Sequence, residues 1–314
     1  MQYIGIDMSK DTFHAAFDEQ TVKIFANTIV GVKKFYKEIK DQEVLIGVES
    51  TGVYHLLFAR TMTSYGFTVM VINPLLTYRM ISATVRKVKT DKADAFAIRR
   101  TLITGVGYPF TGNTDTLILK ALVSQREALV RTRAEFKQRI HVQQITEKAL
   151  GIKLALSFAP VMITLSKEIK LLEQQMANYA KDTQKLLQSI PGVGRIASAA
   201  LLAHIGNIKR FQNPEQLVAY IGLDCRVYQS GTSINGKGFI TKRGNTYLRF
   251  TLFNAAFIAR QHIPELKQFF AKKLSEGKHY FSAQCAVERK LVHLIYAIWS
   301  RGTPFENRKI QSST

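Results

Sequence analysis

Four acidic residues stand where they could do joint chemistry. Asp7 ends the apolar run "QYIGID" (2–7), Glu49 falls near the end of "EVLIGVES" (43–50), and Asp91 and Asp94 stand three apart in "KTDKADA". Adjacent strands that end at the same edge of an open sheet bring their terminal side chains together, and an i, i+3 pair on a helix faces one point. Converging carboxylates repel one another unless a cation holds them. Their hard oxygen donors suit Mg²⁺ or Mn²⁺, which bind substrate phosphates alongside carboxylates. Two such ions about 4 Å apart stabilise the attacking and leaving oxygens of a phosphoryl transfer. The alternative for Asp91 is a helix cap. Arg79, Arg86, Lys87, Lys89, Lys92, Arg99 and Arg100 surround the pair, an arrangement suited to a phosphate.

Two further stretches suit phosphodiesters. "IPGVGRIASAALLAHIGN" places Gly192, Gly194 and Arg195 in a turn that leads into an Ala-rich helix. Backbone N–H groups at such a helix start attract phosphate, as in the helix-hairpin-helix motif; the alternative is a glycine turn made for close helix packing. "SGTSINGKGFITKRGN" (230–245) holds four of the 19 glycines together with Ser230, Ser233, Lys237, Lys242 and Arg243, and Arg249 follows. A serine among cations can attack phosphorus while the cations stabilise developing charge. The alternative there is a surface loop with ordinary serines.

The elements that must position these residues follow from periodicity. "QYIGID", "TFHAAF" (12–17) and "VKIFAN" (22–27) predict three antiparallel strands in a meander. A helix over 31–40 presents Val32, Phe35, Tyr36 and Ile39 on one face. The continuous apolar run at 43–50 predicts a strand covered on both sides. A helix at 53–65, a strand at 67–74 and helices near 75–84 and 91–104 complete an α/β domain with a mixed sheet. Residues 115–187 are poor in Gly and Pro. There Leu165, Ile169, Leu172, Met176 and Tyr179 repeat at coiled-coil spacing, so two long helices are expected, broken near Gly151 and Pro160. Such a hairpin packs either on itself or against a second chain. From 188 on, helices near 245–261 and 281–300 flank the Gly-rich segment. The expected domains are 1–110, 111–187 and 188–314.

Composition limits the functional class. The 314 residues carry 44 Lys+Arg against 23 Asp+Glu, a net charge of +21, and 46% are hydrophobic. That is too apolar for a disordered polycation. Two cysteines make no disulfide framework. The segment "MQYIGIDMSK" lacks signal-peptide character, and no apolar run approaches the roughly 20 residues of a membrane span, so a cytoplasmic protein without membrane contact is expected. Net charge is +4 over 1–110, +5 over 111–185 and +12 over 186–314. A polyanion such as nucleic acid is the partner that this distribution favours.

"YIGIDMSKDTF", "GVESTGVY", "VINPLLTYR" and "KTDKADAFAI" resemble the N-terminal domain of the DEDD transposases of insertion-sequence family 110, which includes the Piv DNA invertase. "IPGVGRIASAALLAHIGNIKRFQNPEQLVAYIGL" and "SGTSINGKGFITKRGNTYLR" resemble that family's C-terminal domain. The resemblance implies a RuvC-like ribonuclease H fold with Asp7, Glu49, Asp91 and Asp94 as metal-binding tetrad, a helical coiled-coil hairpin, and a mostly helical C-terminal domain. It further implies a serine nucleophile that forms a covalent link to DNA. The family's serine precedes a Gly pair; here "YQSGTS" makes Ser230 the best match, with Ser233 left open because Thr232 replaces the second Gly. Donor and target DNA, a structured guide RNA encoded by the element and a homo-oligomer are the partners that the resemblance implies. The oligomer would join the catalytic domain of one subunit to the serine domain of another.

Overall fold

The computed structural model describes residues 1–50, 52–82, 90–225, 229–230, 234–235 and 240–306, and the chain divides into two compact units, Met1–Asn113 and Thr114–Thr314.

The first unit opens with the meander β1 (Gln2–Met8), β2 (Thr12–Ala16) and β3 (Val22–Ala26), followed by α1 (Ile29–Ile39), β4 (Val44–Glu49), α2 (His55–Ser64) and β5 (Thr68–Ile72). Helices α3 (Pro74–Ser82) and α4 (Asp91–Ile103) and the short strand β6 (Tyr108–Pro109) complete it. The sheet order is β3-β2-β1-β4-β5-β6. Strands β1, β4 and β5 run parallel, whereas β2, β3 and β6 pair antiparallel to their neighbours. Order and sense over β1–β5 are those of the ribonuclease H-like sheet.

Pleating sorts the side chains of this sheet onto two faces. On one, Ile4, Ile6, Phe13, Ala15, Ile46 and Val48 meet Val32, Phe35 and Ile39 of α1 and Phe58 and Met62 of α2. On the other, Tyr3, Leu45, Met70 and Ile72 meet Ile98 and Leu102 of α4. Gly5 and Gly47 face α4 as well. A Cβ on Gly5 would stand 2.3 Å from Arg99 N and 2.4 Å from Ala95 O, so the backbone of α4 lies directly on β1. Only glycine permits that approach.

The second unit holds α5 (Thr114–Leu150), α6 (Ala159–Met176), α7 (Lys181–Gln188), α8 (Arg195–Ile205), a 3-10 turn (Ile208–Arg210) and α9 (Pro214–Ile221). Short strands β7 (Gln229–Ser230) and β8 (Ile234–Asn235) precede α10 (Thr246–His262), α11 (Pro264–Ser275) and α12 (Tyr280–Arg301). Helix α5 stops before Gly151, whose φ is +63°, and α6 starts with Pro160 in its first turn. Helices α5 and α6 pack antiparallel: Arg126 pairs with Glu173 at 2.6 Å, and the rings of Phe136 and Phe158 lie 5.5 Å apart. Leu119, Val123 and Met176 share one core with Leu201, Leu217, Leu252 and Leu291 of the helices that follow. Among the described residues no helix is long and apolar enough to cross a membrane.

Candidate active site at the carboxyl edge of the sheet

In an open sheet, ligands bind beyond the carboxyl ends of the strands where the strand order reverses. Here that point lies between β1 and β4, which lead to opposite edges. Ile6 pairs with Val48 in parallel register, so Asp7 and Glu49 are the next side chains on the two strands. Both point to the face that carries α4.

Helix α4 supplies the other two acids. Thr90 caps it, its hydroxyl accepting from Ala93 N at 3.2 Å. The capping role considered for Asp91 therefore falls to Thr90, and Asp91 and Asp94 occupy the first turn, where negative charge suits the helix dipole. The contact of α4 with Gly5 holds this turn beside Asp7. Burial pushes the pKa of Asp7 up to about 6, and the charges of Asp94, Asp91 and Glu49 push the same way, against a lowering backbone hydrogen bond from Met8. The structure thus brings all four sequence-predicted acids within electrostatic reach of one point.

Two neighbours were not singled out from the sequence. His14 on β2 pairs in register with Asp7, so both side chains stand on the same face. Ligand atoms of Asp7, His14 and Asp91 lie within 4.8 Å of one another. Thr77 of α3, only 1% exposed, donates its hydroxyl to Glu49 Oε2 at 2.6 Å and fixes that carboxylate. The signal for His14 is a polar residue among the apolar positions of "TFHAAF", and it acquires meaning only with the β1–β2 register. The donor set of carboxylate oxygens with one imidazole fits a divalent cation.

The basic residues divide. Arg79 is exposed on α3. Arg99 and Arg100 do not surround a phosphate as expected: both pair with Glu19, at 2.6 and 2.7 Å, and Arg99 Nε also donates to Tyr3 O. Arg86, Lys87, Lys89, Lys237 and Ser233 lie outside the described residues.

The remaining predicted residues belong to the second unit. Gly192 (φ +89°) packs against α10, where a Cβ would stand 2.2 Å from Ala255 O. Gly194 and Arg195 are exposed at the start of α8, which has no side-chain cap. Ser230 pairs with Ile234 in β7–β8, so the segment expected as a loop contains an antiparallel arm. The base of the arm is closed by Lys242 N→Gly222 O (3.0 Å), Thr241 N→Asp224 O (2.8 Å) and a bridge between Cys225 and Ile240. Gly222 and Gly244 touch backbone to backbone; a Cβ on Gly244 would come within 2.3 Å of Ile221 O. Arg249 donates from Nη1 to Ile221 O (3.1 Å) and Gly244 O (2.6 Å), so its guanidinium staples the two sides of that base. Lys242 (φ +55°) and Arg243 are exposed beside it.

With this geometry in place, the similarity to known proteins is specific. A DEDD transposase model of the IS110 type matches residues 4–144, and the model "Transposase IS116/IS110/IS902 family" matches residues 184–271. The chain belongs to the IS110 transposase family. This family cleaves and rejoins DNA. A pilin gene-inverting protein of Moraxella bovis is 28% identical over 98% of this chain and 98% of its own. The transposase for insertion sequence element IS1328 of Yersinia enterocolitica is 25% identical over 96% of this chain and 98% of its own. Among solved structures, T. thermophilus RuvC in complex with Holliday junction substrate covers 35% of this chain and 99% of its own at 12% identity and a TM-score of 0.27. At that score the fold rests on the sheet topology alone.

Proposed function

We propose that this IS110-family transposase is a site-specific recombinase in which a divalent-metal site of Asp7, Glu49, Asp91 and Asp94 works with a serine nucleophile, Ser230. The convergence of the four acids at the strand-order reversal carries the reading. Mg²⁺ or Mn²⁺ bound there would supply charge neutralisation at the scissile phosphate. Asp7 and Glu49, projecting from rigid strands, and Asp91 and Asp94, at the helix start, would hold such an ion, and Thr77 holds Glu49. The Ser230 oxygen forms a bond to phosphorus as one deoxyribose oxygen leaves and takes up a proton. A deoxyribose hydroxyl of the new partner strand then attacks the same phosphorus and releases the serine, so the phosphodiester energy is conserved. A water-using nuclease would lose it.

Gly194 and Arg195 at the open start of α8, with Lys242, Arg243 and Arg79, contact phosphates in this reading. A structured RNA of the element supplies sequence choice by base pairing, while the protein holds backbone. The similarity to a pilin gene-inverting protein favours inversion as the second reading, with the same chemistry at both sites. The test is covalent trapping on nicked DNA with Mn²⁺. Wild type leaves a phosphoserine adduct; Ser230→Ala leaves none and Ser233→Ala retains it. An adduct on the Ser230→Ala protein overturns the assignment, and free cleaved ends without any adduct indicate a junction-resolving nuclease.

A further inference from the structure

Beside the proposed metal site stands a nitrogen donor that the acidic tetrad leaves out. His14 lies on β2, opposite Asp7 in the antiparallel register, and cross-strand partners project to the same face. That face carries Glu49 and the first turn of α4. The His14 side chain is 12% exposed, so it is already held largely out of water at the rim of the acid cluster. Its Nδ1 stands 3.8 Å from Asp91 Oδ2, too far for a hydrogen bond. Two ligands bound to one ion at about 2.1 Å lie about 3.0 Å apart when adjacent and about 4.2 Å when opposite, for octahedral geometry. The 3.8 Å gap lies between these two values, and one ligand atom from each of Asp7, His14 and Asp91 lies within 4.8 Å of the others, so modest side-chain rotation would bring the three onto one ion.

We infer that His14 is a direct ligand of the divalent ion, completing with Asp7 and Asp91 a mixed nitrogen–oxygen set. The inference rests on the metal-site reading above and deepens it. Imidazole suits transition ions better than it suits Mg²⁺, so the site binds Mn²⁺ in preference to Mg²⁺. A neutral donor on β2 also suits the place better than a fifth acid, because one more carboxylate would add repulsion to a cluster of four.

Mn²⁺ added to the full-length protein provides a readout independent of DNA cleavage. Electron spin echo envelope modulation of the bound ion is expected to show a directly coordinated ¹⁴N in wild type. In His14→Gln that coupling is lost while the ion still binds, about tenfold more weakly, and Mg²⁺ affinity falls less. Far-UV circular dichroism checks that the variant folds, and His14→Asn serves if it does not; the wild-type spectrum needs no variant. Bound Mn²⁺ without nitrogen coupling in wild type, or coupling that persists in both His14 variants, overturns the ligand assignment. Asp7→Asn separates the two levels. Wild type that takes up no Mn²⁺, or takes it up equally in Asp7→Asn, overturns the metal site itself and this inference with it.

Discussion

At the scale of single residues, carboxylates do opposite work in the two units. Asp7 keeps company with three other acids. Glu288, only 2% exposed on α12, is a buried acid of another kind. Burial pushes its pKa up to about 8, although the charge of Arg249 pulls it down. Near pH 7 it is therefore mostly protonated. Its folded state binds the proton more tightly than an unfolded chain does, so Glu288 costs stability as pH rises from its ordinary value near 4.5 through about 8. Glu288→Gln removes that penalty. Thermal melts should show no difference near pH 4 and a gain of up to about 4 kcal/mol at pH 9, or about 10 °C in Tm. Equal melts at both values would show that the carboxyl is not held neutral. Thr77 and His14 make a related point about legibility. Asp7 and Glu49 were legible because an acid closing an apolar run is unusual, Asp91 and Asp94 because they stand three apart in a helical stretch. A threonine within a helix and a histidine within a strand are ordinary until register and tertiary contact show what they touch.

At the scale of elements, the site depends on how close α4 comes to β1. Gly5 is the contact that sets this distance, since a methyl there would meet Arg99 N and Ala95 O at 2.3 and 2.4 Å. Gly5→Ala should push the helix away from the strand, costing about 1–3 kcal/mol by overpacking. The larger effect is expected on function, because Asp91 and Asp94 move with the helix. Strand cleavage should fall at least 100-fold while DNA retention in a gel shift is kept. Cleavage unchanged in a folded Gly5→Ala protein would show that helix position is not limiting. Strands β1–β5 and helices α1–α4 were legible because each has an apolar face at its own period. β6 was not: two residues at an edge, one of them proline, leave too little pattern. Helix α11 was missed, and β7–β8 were read as loop, because glycines and hydroxyls in "SGTSING" hide the strand pattern and only the pairing of Ser230 with Ile234 and of Gln229 with Asn235 reveals it.

At the scale of the whole molecule, the long helices of the second unit leave apolar side chains in water. Val142, Ile145 and Leu150 at the end of α5, Leu156 in the connection and Ile163 near the start of α6 are 56–70% exposed. Exposed apolar side chains of this kind mark an interaction surface, and the homo-oligomer that the family resemblance implies is the partner that would cover them. The sequence left open whether these helices pack on themselves or on a second chain; the antiparallel contacts of α5 and α6 account for their mutual face and leave this end over. Val142→Glu with Ile163→Glu should lower the mass measured by light scattering to that of the next smaller species, without loss of helicity. A wild type already monomeric at the same concentration would contradict the expectation. The charge pattern belongs to this scale too: the excess of +12 over 186–314 falls in the unit with the serine arm, while the unit with the acids is nearly balanced.

The serine arm has a property that neither its chemistry nor its charge describes. Its base is fixed by two touching glycines and by Arg249, and Ser230 stands in the paired strand β7 a few residues further along the chain. Lengthening both strands by one residue moves the serine by about 3.3 Å without touching the helical core. The reach of the proposed nucleophile would thus be an adjustable dimension, like the length of a lever on a fixed fulcrum. Related enzymes that cut strands at different spacings could be made by changing arm length alone.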